Sequence, residues 1–255
     1  IKGRVDAVVI PDMANGVMRL SAIGGGVLMH QQGLEAVIHI CPRDRNRIAL
    51  QGDLLTAHVL GVQNLIVMAG EDMSYGDHIE AKTVGDLDEL GLLAAIRSLQ
   101  EGVDLAGIDL KGSPSFTVGC ALSPWADEKG LAAEIERTRK KVEAGAQFVI
   151  TPPVFDLDRF ASFLDQARVL GVPVIATVFL LKSVGVARYM STNLPGSFIS
   201  EDLIQRLRRA PDRAAEGVRF AGETAAALKK MAQGVQIVTL GWEYRLPAIL
   251  DAAGL

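Results

Sequence analysis

Apolar and polar residues alternate along this chain in blocks of two kinds. Short apolar runs rich in Val and Ile lie at residues 5–11, 37–41, 65–68, 115–122, 148–151, 172–181 and 235–240. Between them, apolar residues recur every three or four positions, the period of an amphipathic helix. Five times a helix-like segment closes on Gly and a β-rich run begins within three residues: QGLEAVIHI, LGVQNLIVM, AGAQFVITP, LGVPVIATV and QGVQIVTLG. Glycine supplies the left-handed cap that turns the chain back toward a sheet. Runs that are apolar at nearly every position belong to parallel strands covered on both faces. Such alternation gives either a (β/α)₈ barrel or an open, doubly wound sheet. About seven strands are legible, one short of a closed barrel, so a further strand is expected before Ile1, which is not a Met.

The same pattern places helices at about 17–32, 46–61, 86–100, 127–145, 156–170, 184–190, 201–209 and 212–233, with a last one after Gly241-Trp242-Glu243. In the second helix Ile48, Leu55 and Val59 form one stripe, and Leu50, Leu54 and Ala57 another. Asp44 is the expected N-cap of that helix, Asp127 that of the fourth, and Asp156 or Asp158 that of the fifth. Residues 73–84 read as a long polar loop, 102–114 as an extended connection and 193–196 as a turn. Gly24-Gly25-Gly26 falls inside a helix and lacks G-x-G-x-x-G spacing, so it points to close packing rather than to a nucleotide loop.

A length of 255 residues with 49% hydrophobic content suits a single domain over 1–255. A net charge of -4 without a basic tract argues against nucleic acid. Without an apolar run of about 18 residues, no membrane span is expected. Cys41 and Cys120 both lie in apolar runs, as reduced, buried cysteines of a cytoplasmic protein would. The four histidines and two cysteines show no metal-ligand spacing, and no G-x-S-x-G elbow is present.

Ligands of parallel α/β folds bind beyond the carboxyl ends of the strands. Two runs end in residues able to do chemistry: VIHIC leads into Pro42-Arg43-Asp44-Arg45, and LIVM into Ala69-Gly70-Glu71-Asp72. These would share one rim, where Asp12, after the first run, has the same standing. The bland alternatives are a core histidine at His39, solvated carboxylates, and an N-cap flanked by solvated arginines at 43–47. The functional alternative for the arginines is a rim that holds phosphate or carboxylate. Lys140 and Lys141 sit on a charged helix, where lysines usually face solvent. Lys182, after the longest run, is better placed for an anionic ligand.

CPRDRNRIALQGDLL, GDH-x-EAK at 76–82, RKKVEAGAQF at 139–148, T-x-x-VFD at 151–156, LKS-x-x-x-ARYM at 181–190 and GWE at 241–243 are spread over nearly the whole chain. Through them the sequence resembles methylenetetrahydrofolate reductases, above all the short acetogen-type enzymes. The resemblance implies a (β/α)₈ barrel that holds a flavin, FAD or else FMN, and passes hydride to methylenetetrahydrofolate in one-carbon metabolism and methionine biosynthesis. It implies flavin contacts from His39 and Lys141, which the strand-end residues Arg43, Asp44, Gly70 and Asp72 join as candidate flavin-binding positions. It implies a catalytic carboxylate at Glu71 and a folate site that includes the positions of Pro152 and Trp242; Asp12 and Lys182, each after a strand, complete the candidate folate contacts. An iron–sulfur protein partner or a homo-oligomer is also implied. Glu71 stands where the family usually has Asp, and Pro152 where it usually has Gln. The family's general acid belongs to the strand expected before Ile1. Two other readings remain: a non-redox barrel subunit, and a folate-dependent methyl-transfer component of a larger complex.

Overall fold

The computed structural model describes residues 1–194 and 196–255; Pro195, in the turn expected at 193–196, lies outside the described residues. The chain forms two compact units. The N-terminal unit comprises Lys2–Ala121 with Lys140–Gln147, and the C-terminal unit Ile1, Leu122–Arg139 and Phe148–Leu255.

In the N-terminal unit, β1 (Val8–Ile10), β2 (Ala36–Ile40), β3 (Asn64–Val67) and β4 (Thr117–Ala121) are parallel and neighbour one another in chain order. The crossovers are α1 (Ala22–Gln31), α2 (Arg47–Val59) and α3 (Glu89–Gln100). The C-terminal unit repeats the pattern with β5 (Phe148–Pro153), β6 (Val174–Phe179) and β7 (Gly234–Val238). A doubly wound sheet reverses its strand order at a switch point. Neither unit contains such a reversal, which decides for barrel-type (β/α) winding. Seven strands occur among the described residues, as many as the apolar runs suggest.

Strand faces follow from packing. Ala36, Ile38 and Ile40 are buried, and Ile38 meets α1: a Cβ on Gly26 would lie 2.7 Å from Ile38 Cγ2. A Cβ on Gly25 would lie 2.8 Å from Ile10 Cγ2, so the glycine triplet lets α1 sit directly on β1 and β2. Val37 and His39 alternate onto the other face and are half-buried. The C-terminal unit continues through α5 (Leu157–Ala167), α6 (Val184–Asn193), α7 (Glu201–Arg209), α8 (Arg213–Leu228) and α9 (Leu246–Ala253). There Leu203, Ile204 and Leu207 of α7 pack with Leu181, Ala187, Met190 and Ile199.

Some local expectations are corrected. The first helix begins at Ala22, capped by Ser21, because the residues before it form a loop that bonds elsewhere. Asn46, not Asp44, caps α2, its side chain accepting from the Ile48 and Ala49 N–H groups. Of the two α2 stripes, Leu50, Leu54 and Ala57 are buried, whereas Ile48 is 77% exposed. Helix α4 (Glu128–Glu143) carries Lys141 on its buried side, only 2% exposed, not toward solvent.

Candidate functional site

At the carboxyl end of β2, Pro42 opens a single 3₁₀ turn, Pro42–Asp44, which throws Arg43 inward. Arg43 is 6% exposed. Its guanidinium donates from Nε and Nη2 to Asp44 at 2.6 and 2.7 Å. It also donates from Nη1 to the Glu71 carbonyl at 2.9 Å and from Nη2 to the Met13 carbonyl at 3.2 Å. One side chain therefore ties together the loops after β1, β2 and β3. Only arginine has enough donors in a fixed fork for that task. Asp44 holds the Arg43 pKa above its usual value, so the charge is permanent.

A second brace lies beside it. Arg45 pairs with Asp12 and, at 2.8 Å, with Asp53 of α2. Asp12 also accepts from the Cys41 N–H at 3.3 Å. Burial pushes the Asp12 carboxyl up although Arg45 pulls it down, and burial pushes the Cys41 thiol up to about 11. Cys41 is thus a packed thiol rather than a nucleophile, donating to the Ala69 carbonyl at 3.2 Å.

Gly70 follows β3 with φ +85°, and a Cβ there would lie 2.3 Å from Cys41 Sγ. The close approach turns the chain so that the next carboxylate, Glu71, stands at the rim with its side chain 40% exposed. Its Oε2 accepts from the Asn15 N–H at 3.1 Å and lies 3.6 Å from Arg43 Nη1. Asp72 points elsewhere and accepts from the Ser74 N–H at 2.8 Å, which holds its carboxyl below the usual range. Met13 and Asn15 both have positive φ, at 45° and 58°. Non-glycine residues held this way store backbone strain that the surroundings must compensate. The compensation comes from residues 73–77: Gly16 backs onto Gly76, and the Met18 N–H donates to Asp77 at 3.2 Å.

His39 shares a register level with Ile66, and Ile66 with Gly119. That row places His39, the buried Ile66 and the buried Gly119 on one face of the N-terminal sheet. Burial lowers the His39 pKa to about 4, which keeps the ring neutral near pH 7. Lys141 is spent on its surroundings, donating to Glu89 at 2.8 Å and to the Ala121 carbonyl at 3.0 Å.

In the C-terminal unit, Lys182 donates to the Leu240 carbonyl and stands 5.3 Å over the Trp242 ring. Leu240, two residues past β7, also has positive φ, at 44°. Pro152 lines a cavity of about 510 Å³ with Trp125, Phe155, Arg159, Phe160 and Phe198. Arg159 lies 4.0 Å over the Phe198 ring. The structure thus gathers Asp12, Arg43, Asp44, Gly70 and Glu71 at one rim of the N-terminal unit, and Lys182 with Trp242 in the other unit. It sets Asp72 on nearby Ser74, and Lys141 on Glu89 and the Ala121 carbonyl. Asn15 and the brace from Arg45 to Asp12 escaped the sequence, because those partners lie tens of residues away. No cluster of three metal-ligating side chains occurs among the described residues.

The profile of the family described as methylenetetrahydrofolate reductase matches residues 6–254. The chain belongs to the methylenetetrahydrofolate reductase family. Methylenetetrahydrofolate reductase 2 of Schizosaccharomyces pombe is 25% identical over 254 residues, covering 90% of this chain and 37% of the yeast protein. The Saccharomyces cerevisiae protein of the same name is 24% identical over 169 residues, covering 60% of this chain and 26% of that one. The chain therefore spans well under half the length of these reductases. Among solved structures, a Clostridium thermocellum protein that binds two copies of 5-methyl-5,6,7,8-tetrahydrofolic acid aligns with TM-score 0.62 at 16% identity, over 98% of this chain and 81% of that one. At that identity the likeness shows the fold, and it agrees with the barrel-type winding.

Proposed function

We propose that this chain is a flavin-dependent reductase that converts methylenetetrahydrofolate to methyltetrahydrofolate. The observation that carries the proposal is the family match over residues 6–254. When bound, a flavin supplies the hydride. The residues present fit such a group. His39 shares a register level with Ile66 and Gly119, and the neutral imidazole can hydrogen-bond the edge of a flat ring without imposing a charge. FAD is the expected form and FMN the alternative.

Glu71 has the geometry of an electrostatic residue. Its carboxylate stands at the rim and is oriented by the Asn15 N–H and Arg43, so it need not reorganise when positive charge develops on a bound iminium. Arg43 is a positioning residue, because its donors are committed to Asp44 and to two backbone carbonyls. The test is the absorption spectrum and extracted cofactor of the native protein, followed by stopped-flow oxidation of its reduced flavin with methylenetetrahydrofolate. Protein that takes up no flavin at saturating concentration, or reduced flavin that the folate leaves unoxidised, would refute the reading.

A further inference from the structure

Strands β5, β6 and β7 set Pro153, Thr177 and Gln236 at one level, Pro153 pairing with Thr177 and Thr177 with Gln236. Paired residues of parallel strands project from the same face. Ala176 and Val178, fully buried, lie on the opposite one. The threonines of this face satisfy one another. Thr177 Oγ1 donates to the Thr151 carbonyl at 2.7 Å, and the Thr177 N–H donates to Thr151 Oγ1 at 3.1 Å. Thr151 Oγ1 in turn donates to the Pro152 carbonyl at 2.8 Å.

Gln236 is not satisfied. Its Oε1 is buried and has no hydrogen-bond partner among the described residues. Other glutamines show what this chain ordinarily does with the group. Gln51, Gln100, Gln147 and Gln233 each accept a backbone N–H, from Leu105, Phe116, Val118 and Val174, at 2.7 to 2.9 Å. The Gln236 backbone is not free to shift toward a partner, because it is paired to β6, where a Cβ on neighbouring Gly234 would already lie 2.7 Å from Ile175 Cδ1. An unpaired buried carbonyl is unfavourable, and native structures contain few of them.

We propose that Gln236 reads the amide edge of the pterin from β7, on the face of the C-terminal sheet that it shares with Pro153 and Thr177. The assignment rests on the folate reading above. The 2-amino-4-oxo edge of a pterin offers N–H donors beside a carbonyl acceptor. A primary amide is its complement, accepting with Oε1 and donating with Nε2. The threonine hydroxyls cannot serve, being engaged already, and proline has no side-chain donor or acceptor.

The experiment measures 5-methyltetrahydrofolate affinity by calorimetry, flavin content and thermal midpoint for the parent and Gln236→Met. Gln236→Met should weaken folate binding about tenfold or more, the worth of a lost buried hydrogen bond. Flavin content should not change. The thermal midpoint should hold or rise, since a similar-sized apolar side chain removes the unpaired acceptor. A Gln236→Met protein that binds folate as the parent does, or that melts well below it, overturns the assignment alone. A parent that binds flavin but no folate overturns the substrate reading and the assignment together.

Discussion

Gly70→Ala puts the arrangement of the strand ends at the N-terminal rim to a quantitative test. Two costs add. The native φ of +85° disfavours any side chain, by about 1–2 kcal/mol. The new Cβ would also stand 2.3 Å from Cys41 Sγ and 3.3 Å from Arg43, and forcing atoms into a packed site costs about 1–3 kcal/mol. The sum is about 2–5 kcal/mol. Gly85→Ala is the control, because its φ is +66° and its Cβ would meet nothing within 4 Å. It should lose only the backbone part, about 1–2 kcal/mol. Urea denaturation at constant m-value reads both. Adding Cys41→Ala to Gly70→Ala should return part of the loss, a coupling that a double-mutant cycle isolates. If Gly70→Ala costs no more than Gly85→Ala, or if removing the sulfur returns nothing, the close approach of the two strand ends is not what holds Glu71 at the rim.

Glu71→Gln keeps the shape of the rim and removes its charge, so flavin content should persist while folate-driven flavin oxidation slows roughly 10²–10³-fold; an unchanged stopped-flow rate refutes the electrostatic role. His39 carries a pKa lowered from 6.5 to about 4, so between those values the unfolded chain binds a proton that the folded chain does not. Its contribution to stability is complete above pH 6.5 and is lost as pH falls toward 4; urea midpoints should decline over that window, less steeply in His39→Gln, and parallel slopes would refute the burial argument. Lys141→Met strands Glu89 without its cation and should cost about 3–5 kcal/mol, most of it returned by adding Glu89→Leu. Recovery of stability without recovery of flavin binding would give Lys141 a cofactor role beyond its ion pair.

Barrel-type winding was half legible in the sequence. Glycine-capped helices and β-branched runs located the strands, because those signals are local. Choosing between barrel and open sheet required strand order, which no local signal carries. At the rim, Arg43, Asp44 and Glu71 could be named from their position after strands, but not as one network, since Arg43 bonds carbonyls 28 and 30 residues away. Lys141 misled for the opposite reason: its neighbours in the chain are charged, and only the approach of Glu89 and Ala121 buries it. Asp44 looked like a cap because it precedes a helix, yet Arg43 claims it and Asn46 caps instead. Gln236 carried no sequence signal at all, because what marks it is the absence of a partner.

Neighbouring strands in each unit follow one another along the chain, and this bears on how the protein is made. When β2 leaves the ribosome its partner β1 is already present, and the same holds for β3 and β4. Each step joins residues only 27 to 53 positions apart, for example Val8 to Ala36 and Asn64 to Thr117. The N-terminal unit can therefore assemble strand by strand in the order of synthesis, at low entropic cost per closure. One piece arrives late. Residues 140–147 bring Gln147, whose N–H donates to the Val118 carbonyl while its Oε1 accepts the Val118 N–H. Until they emerge, the nascent chain carries β4 as an open edge, the kind of edge that invites wrong pairing with another chain. The vulnerable interval in biosynthesis is the one between residues 121 and 147, and a pause in translation placed there would leave that edge waiting longest.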